Sequence, residues 1–432
     1  MTTSPDEIVI GGARPLRGKL RVPGDKSISH RGLIFGAMAD GASTIENLAT
    51  GDDVRATGRA LAALGVAIDS GDPVVTVHGR TVEAWSEAAD ALDCANSGTT
   101  MRVLAGAVAG RDFLSVLTGD SSLRSRPMAR VVEPLRAMGA FIDGRDRGTR
   151  APLVIRGGSL RGIAYELPVA SAQVKSALVL AGLQGTRETK IVSPEQSRDH
   201  TERMLGALGA PVRSEGLTVR VLAGRPRAFA LDVPGDPSSA AFFAVAAAIT
   251  PGSDIVLEQM SCNPTRVGFV DVLRRMGADL ELVATGESCG EPIGELHVRA
   301  SPLGGTVIAG SEIPNVQDEV PVLAVAAAFA DGVTEIRDAA ELTRKESDRI
   351  RTVHSELRAL GVAAEANAEG LVVRGGGARS AVLRSHGDHR VAMAMAVAAN
   401  AMDAPSTVRE WSAVSSSYPD FAADLGRLTG AS

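Results

Sequence analysis

Cysteine occurs three times in the 432-residue chain, at Cys94, Cys262 and Cys289, far apart and without CxxC or nearby CxxH spacing. Such a set builds neither a disulfide framework nor a structural zinc site, so the three read as small core or loop residues. Aromatic residues make up 3% of the chain and the formal net charge is -6. With few stacking platforms and no basic excess, it is not built to track a nucleic-acid backbone, and any anion must bind locally. The longest unbroken apolar run, Ala240 to Ile249, is too short to span a bilayer, and MTTSPDEIVIGG has no basic region followed by an apolar stretch. Neither a membrane span nor a secretory signal is expected, and a cytoplasmic enzyme is the default. Long linkers and low-complexity segments are also missing. What remains, 44% hydrophobic and 22% charged residues, suits a globular protein with core for two to three domains.

Lysine is scarce, confined to Lys19, Lys26, Lys175, Lys190 and Lys345, while arginine supplies the other basic residues. A lysine can release its proton at accessible cost where an arginine cannot, so a lysine inside a motif is a candidate proton carrier. Lys26 sits in GDKSISHR, Gly24 to Arg31, directly after the extended-looking stretch Lys19 to Pro23. There Ser27 or Ser29 can cap a helix whose exposed amides favour a phosphate or carboxylate, with Lys26 and Arg31 adding full charges. A solvated basic helix start is the alternative.

The chain repeats itself. LAALGV begins at Leu61, LRAMGA at Leu135, LGALGA at Leu205, LRRMGA at Leu273 and LRALGV at Leu357, a period of roughly 70 residues. Each reads as a helix end with a left-handed glycine cap, followed by a strand-like segment such as VVTVHG or GLVVRGG. A degenerate sixth, near Leu425, runs out of chain before its strands, and the segment from Glu7 to Val22 is expected to complete it. A second echo, VPGDKSIS from Val22 and VPGDPSSA from Val233, marks the expected crossings between two halves. A cleft between halves is a usual place for a ligand.

Other segments concentrate polar chemistry. NSGTTMR, Asn96 to Arg102, offers a turn where glycine lets a ligand approach the backbone. TGDSSLRSRPM, Thr118 to Met128, reads as a loop rich in hydroxyls and arginines, with Arg126 before a proline. SAQVKSALVLAGL puts Ser171 and Gln173 at the start of an apolar helix, and SRDHTERML does something similar with Arg198. DEVPVLAVAAAFA places Asp318 and a second carboxylate before a buried helix, where helix capping is the simpler role. RKESDR sets Lys345 and Arg349 four apart on one helical face beside Glu346, a pattern that surface salt-bridged helices share. HGDHR holds His386, Asp388 and His389, but three possible ligands without support elsewhere do not make a metal site; Arg390 held by polar neighbours is the preferred reading.

Taken in order, GDKSISHR, NSGTTMR, SRPM, SAQVKSALVLAGL, DEVPVLAVAAAFA, RKESDRI and HGDHRVAMA make the chain similar, over nearly its whole length, to the 5-enolpyruvylshikimate-3-phosphate synthases, the 3-phosphoshikimate 1-carboxyvinyltransferases of aromatic amino-acid biosynthesis. The resemblance implies an α/β fold of two similar domains. Each would hold three βαβαββ-type repeats with helices inside and sheets outside, joined by a two-strand hinge. The boundaries expected are 25–235 for a shikimate-3-phosphate-binding domain and 1–24 plus 236–432 for the second, with the active site in the cleft and closure on ligand. It further implies transfer of the enolpyruvyl group of phosphoenolpyruvate to the 5-hydroxyl of shikimate 3-phosphate, with release of phosphate by addition and elimination. No metal or cofactor would be needed, and the enzyme would work as a cytoplasmic monomer. Two phosphates and two carboxylates bring roughly five to six negative charges together and need a comparable set of cations and amides. By motif match, shikimate 3-phosphate falls to Lys26, Ser27, Arg31, Ser171, Ala172, Gln173, Asp318 and Lys345, with Arg198 added. Phosphoenolpyruvate falls to Lys26, Asn96, Gly98, Arg126, Gln173, Arg349 and Arg390. Asp318 is the implied base for the attacking hydroxyl; Glu346 and Lys26 are the implied proton carriers at the methylene carbon.

The chain departs from the best-known bacterial pattern at three places. Ser416 in SSSYPDF stands where many members carry a lysine, Ala172 where another serine is common, and Glu341 where an asparagine can contact the substrate. These differences resemble the family's second subgroup. Insensitive members of that subgroup carry alanine where this chain keeps Gly98, which implies inhibition by glyphosate. The alternatives are the sister enzyme that acts on UDP-N-acetylglucosamine, which usually has a reactive cysteine on the loop matching Leu117 to Met128, and an inactive relative that senses phosphorylated ligands. The loop here has no cysteine, and Lys26, Asp318 and Glu346 are all present.

Overall fold

Each of the five repeated segments closes a helix with the same turn. Gly65, Gly139, Gly209, Gly277 and Gly361 all take positive φ, between +78° and +111°. In every case the next residue donates its N–H back to the carbonyl of the leucine that opens the segment: Val66 to Leu61 (3.1 Å), Ala140 to Leu135 (3.1 Å), Ala210 to Leu205 (2.9 Å), Ala278 to Leu273 (2.9 Å) and Val362 to Leu357 (2.9 Å). This six-to-one bond satisfies a carbonyl that the helix end leaves open, and glycine allows the left-handed residue it requires. All five leucines are fully buried. The helix Phe421–Thr429 ends likewise on left-handed Gly430.

The computed structural model describes residues 2–4, 6–71 and 73–430. Its strands form six four-stranded sheets. In each, one strand lies parallel to one neighbour and antiparallel to the other, as Leu114–Thr118 does between Leu92–Asp93 and Arg150–Arg156. The sixth sheet is completed from the front of the chain, where Glu7–Ile10 pairs antiparallel with Ser406–Arg409.

Two compact units result. One comprises Gly24–Pro234 with Glu287–Glu291; the other comprises Met1–Pro23, Gly235–Gly286 and Pro292–Ser432. Each has its own apolar core and three sheets. In the first unit three helices are largely apolar, without a continuous polar face, and almost wholly buried, Lys26–Met38, Gly98–Val108 and Ala172–Gly182. In the second their counterparts are Pro237–Ile249, Val320–Ala328 and His389–Asn400. A helix without a polar face must sit inside, and the alanine-rich runs that looked like short apolar stretches are these inner helices. The five helices that the repeat glycines close, and Phe421–Thr429, carry a polar face and lie further out. Among the described residues no helix is long and apolar enough to cross a membrane.

The echoed VPGD segments start the first inner helix of each unit in the same way. Asp25 and Asp236 each accept a first-turn N–H, of Ile28 and Ser238 respectively, at 2.8 Å. Gly24 is required there, because a Cβ would lie 2.0 Å from the Asn47 carbonyl oxygen.

Candidate active site

Most of the sequence-predicted site residues stand near helix N-termini, where unpaired amides and the helix dipole favour anions. In the Gly24–Pro234 unit side chains from the N-terminal halves of all three inner helices meet. Gln173, on the third, donates Nε2 to Thr99 Oγ1 (2.9 Å) and accepts from Arg102 Nη1 (2.6 Å), both on the second. Arg31, on the first, donates Nη2 to Ser176 Oγ on the third (2.7 Å) and Nε to Thr201 Oγ1 on His200–Ala207 (2.7 Å). Its Nη1 reaches back to the Ser27 carbonyl (2.9 Å). Ser171 caps the third helix through the Val174 N–H (3.4 Å), and Ala172 begins it. Gly98 begins the second helix after Ser97, whose hydroxyl accepts from the Thr100 N–H (3.1 Å). Lys26 pairs with Asp53 at 3.0 Å. Arg126 follows a short helix, Ser121–Ser125, within what the sequence suggested was a loop, and donates to Asn96 Oδ1 (2.5 Å). Asn96 in turn donates to Asp120 Oδ2 (2.6 Å). Arg198 lies just before the His200–Ala207 helix.

Burial shapes the charges here. Arg31 is almost inaccessible, and burial pulls its guanidinium down to about 10, with Glu202 and Asp25 opposing that drop. It stays charged at neutral pH. His30, fully buried beside it, is pushed down to about 3 by the same cause and is neutral. Its Nδ1 bonds Thr57 Oγ1 (2.7 Å), which meets Thr100 Oγ1 (2.7 Å) and through it Ser97 Oγ (2.8 Å). A buried chain of hydroxyls thus links the first inner helix to the cap of the second.

In the other unit, three cations and three carboxylates interlock. Arg349, 1% exposed, donates Nε to Asp388 Oδ2 (2.9 Å), Nη1 to Asp318 Oδ1 (3.0 Å) and Nη2 to Glu346 Oε2 (2.6 Å). Lys345 stands 3.6 Å from Asp318 Oδ1 and Arg390 3.8 Å from Oδ2. Arg390 also donates to the Asp318 carbonyl (3.3 Å). Burial opposes ionisation of Asp388, but Arg349 and then His389 overcome it and hold the carboxyl below its ordinary range. Burial likewise disfavours the Arg349 charge, and Asp388, Glu346 and Asp318 more than restore it, so Arg349 remains protonated.

Two local expectations are corrected. Lys345 and Arg349 do not share a helical face: a 3-10 helix ends at Arg344 and the next helix begins only at Arg349, where Asp348 caps the Arg351 N–H. The two cations meet through Asp318 instead. The residue at the N-cap of Val320–Ala328 is Glu319, whose side chain makes no cap bond; Asp318 takes the cations, and Glu319 accepts a short hydrogen bond from Ser238 Oγ. The residues of HGDHR point to different partners, His386 to Glu356 (2.7 Å) and Asp388 to Arg349. Among the described residues no group of His, Cys, Asp and Glu gathers to hold a metal. Glu341 lies exposed on the 3-10 helix Ala340–Arg344, and Ser416 Oγ bonds the Ala413 carbonyl (2.9 Å).

Sequence reading missed Arg102, Asp53, Thr201 and Asp388 as members of these clusters. Arg102 and Asp388 lay inside motifs already quoted. An arginine inside an otherwise apolar helix was the available signal for the first, since such a charge is buried only with a partner.

A family model described as EPSP synthase (3-phosphoshikimate 1-carboxyvinyltransferase) matches residues 10–425. A 3-phosphoshikimate 1-carboxyvinyltransferase of Desulforudis audaxviator is 51% identical over 96% of this chain and 98% of its own length. That of Thermus thermophilus is 50% identical over 97% and 98%. Among solved structures, EPSP synthase from Acinetobacter baumannii superposes with a TM-score of 0.89 at 41% identity, covering 98% of both chains. The enolpyruvyl transferase NikO from Streptomyces tendae shares the fold, with a TM-score of 0.77 at 20% identity over 98% and 97%.

Proposed function

The chain belongs to the EPSP synthase family, and we propose that the two clusters divide the binding and the chemistry of that family's reaction between them. The enzyme transfers the enolpyruvyl group of phosphoenolpyruvate to the 5-hydroxyl of shikimate 3-phosphate and releases phosphate, a step of the shikimate pathway to aromatic amino acids. In the Gly24–Pro234 unit, Lys26, Ser27, Arg31, Ser171, Ala172, Gln173 and Arg198 receive shikimate 3-phosphate. Asn96, Gly98 and Arg126, with Lys26 and Gln173, receive phosphoenolpyruvate. The other unit supplies Asp318 and Lys345 to the first substrate and Arg349 and Arg390 to the second.

The observation that carries this assignment is the meeting, within each unit, of inner-helix first turns with buried or half-buried cations. Helix N-termini offer amides to phosphate oxygens, and the guanidinium groups match carboxylate and phosphate geometry. Asp318 accepts the hydroxyl proton as the oxygen attacks C2 of phosphoenolpyruvate, and Lys26 or Glu346 delivers a proton to the methylene carbon. The same carbon gives up a proton as phosphate leaves. Arg349 holds both Asp318 and Glu346, so one buried guanidinium orients the base and one of the acids. We place the enzyme in the cytoplasm, and we infer that it is a monomer, a state that sedimentation of the purified protein tests.

Phosphate release from phosphoenolpyruvate, measured with shikimate 3-phosphate and separately with UDP-N-acetylglucosamine, tests the whole reading. Release with the first alone is expected, and release only with the nucleotide sugar overturns it. Asp318→Asn keeps the shape but cannot accept the proton; it is expected to bind both substrates and lose turnover. Near-normal turnover removes Asp318 from the base role.

A further inference from the structure

Of the five lysines, Lys26 and Lys345 belong to the clusters above, Lys19 pairs with Glu258 at the surface (2.7 Å) and Lys190 lies on the strand Thr189–Val192. Lys175 has no such role, yet its side chain is 4% exposed and bonds Glu202 at 2.6 Å, itself 4% exposed. The other carboxylate oxygen, Glu202 Oε2, is buried without a hydrogen-bond partner. A buried ion pair with an unsatisfied oxygen is poor currency for stability, because an apolar pair of the same volume holds two helices as well or better. Its specific contribution is a short, directional contact at a fixed place.

That place is defined by the neighbouring residues. Lys175 is followed on Ala172–Gly182 by Ser176, and Glu202 is preceded on His200–Ala207 by Thr201. These two hydroxyls hold Arg31, Thr201 through Nε and Ser176 through Nη2, each at 2.7 Å. Ser176 spends its proton on the Ala172 carbonyl (2.7 Å), so the 2.6 Å bond between the hydroxyls runs from Thr201 to Ser176. Each hydroxyl is then fully committed, and the orientation of Arg31 follows from the distance between the two helices. Among the charges around Arg31, Glu202 is the one that most favours its protonated form.

We propose that Lys175 and Glu202 are positioning residues for the shikimate 3-phosphate site: their contact fixes the spacing of Ser176 and Thr201 and thereby aims Arg31. The proposal rests on the assignment of Arg31 to that substrate. Neither side chain touches substrate.

The test compares Lys175→Met, Glu202→Gln, Glu202→Asp and the double variant K175M/E202M with Arg31→Met, reading KM for each substrate, kcat and Tm. The single charge removals are expected to lower Tm, and the double variant to regain it. In the double variant KM for shikimate 3-phosphate stays raised about tenfold while kcat and KM for phosphoenolpyruvate stay within about twofold. Glu202→Asp keeps both charges but draws the contact in by one methylene; it is expected to fold and to raise the same KM by about three- to tenfold. A wild-type KM for shikimate 3-phosphate in Glu202→Asp, or in a double variant with restored Tm, overturns the proposal and leaves the pair a structural contact. If Arg31→Met itself leaves that KM unchanged, it is the assignment of Arg31 that falls.

Discussion

Arg102 donates Nη1 to Gln173 Oε1 at 2.6 Å, and a methyl group added at Gly98 would lie 2.8 Å from that same nitrogen. Arg126 Nη1 is 3.5 Å from the added methyl. Gly98 therefore leaves room for two guanidinium groups. Glyphosate, longer than phosphoenolpyruvate, is expected to inhibit this enzyme competitively. Gly98→Ala is expected to relieve inhibition by about 1 to 3 kcal/mol, with a smaller rise in KM for phosphoenolpyruvate. Inhibition constants for both proteins check it, and equal sensitivity would show that Gly98 does not line the pocket.

Arg126 is aimed by Asn96, which is itself held by Asp120, and Arg390 by the Asp318 carbonyl. Each presents a charged fork whose loss is worth about 1.5 to 3 kcal/mol to a bound anion. Arg126→Ala and Arg390→Ala should each raise KM for phosphoenolpyruvate by about ten- to a hundredfold, leaving KM for shikimate 3-phosphate within about twofold. Steady-state kinetics with each substrate varied in turn separate the two effects.

Asp388→Asn removes the carboxylate that Arg349 Nε meets at 2.9 Å. Breaking a buried pair costs about 3 to 5 kcal/mol, because the surviving charge stays out of water. Asp388 is depressed in the folded state, so its contribution is fully present above the unfolded value of about 3.9 and is lost as pH falls through the lower folded value. Urea denaturation of wild type and variant should differ by a constant amount from about pH 5 to pH 8. A gap that closes within that range contradicts the pairing.

His30 has the opposite chemistry and the same direction of pH dependence. Folding lowers it from an ordinary 6.5 to about 3, so below pH 6.5 the unfolded chain binds a proton that the folded chain refuses. Stability is complete above that value and falls as pH drops towards 3, by about 2 kcal/mol at pH 5. His30→Gln, which keeps a partner for Thr57, should flatten the stability profile between pH 5 and 7. An equally steep profile in the variant would place the proton uptake elsewhere.

The repeat was legible because its physics is local: a buried leucine, a left-handed glycine and a hairpin lie within one short stretch, five times over. The motifs were legible for a similar reason, since helix starts announce themselves by small polar residues before an apolar run. Pairings across elements were not. Nothing near Lys175 in the chain names Glu202, and nothing near Arg349 singles out Asp388 among the chain's many carboxylates; both choices follow from how inner and outer helices stack. RKESDR misled because its spacing fits a helix, while Asp348 caps one that starts only at Arg349.

The strand Glu7–Ile10 finds its partner almost four hundred positions later, at Ser406–Arg409. During translation the strand waits, at about 5 to 20 residues per second, for on the order of 20 to 80 s before that partner leaves the ribosome. Residues 24–234 meanwhile hold all strands of three sheets and can condense first. The opening strand, with its apolar Ile8 and Ile10, stays unpaired on its partner side throughout that interval, an exposed apolar edge that only completion of the chain can cover.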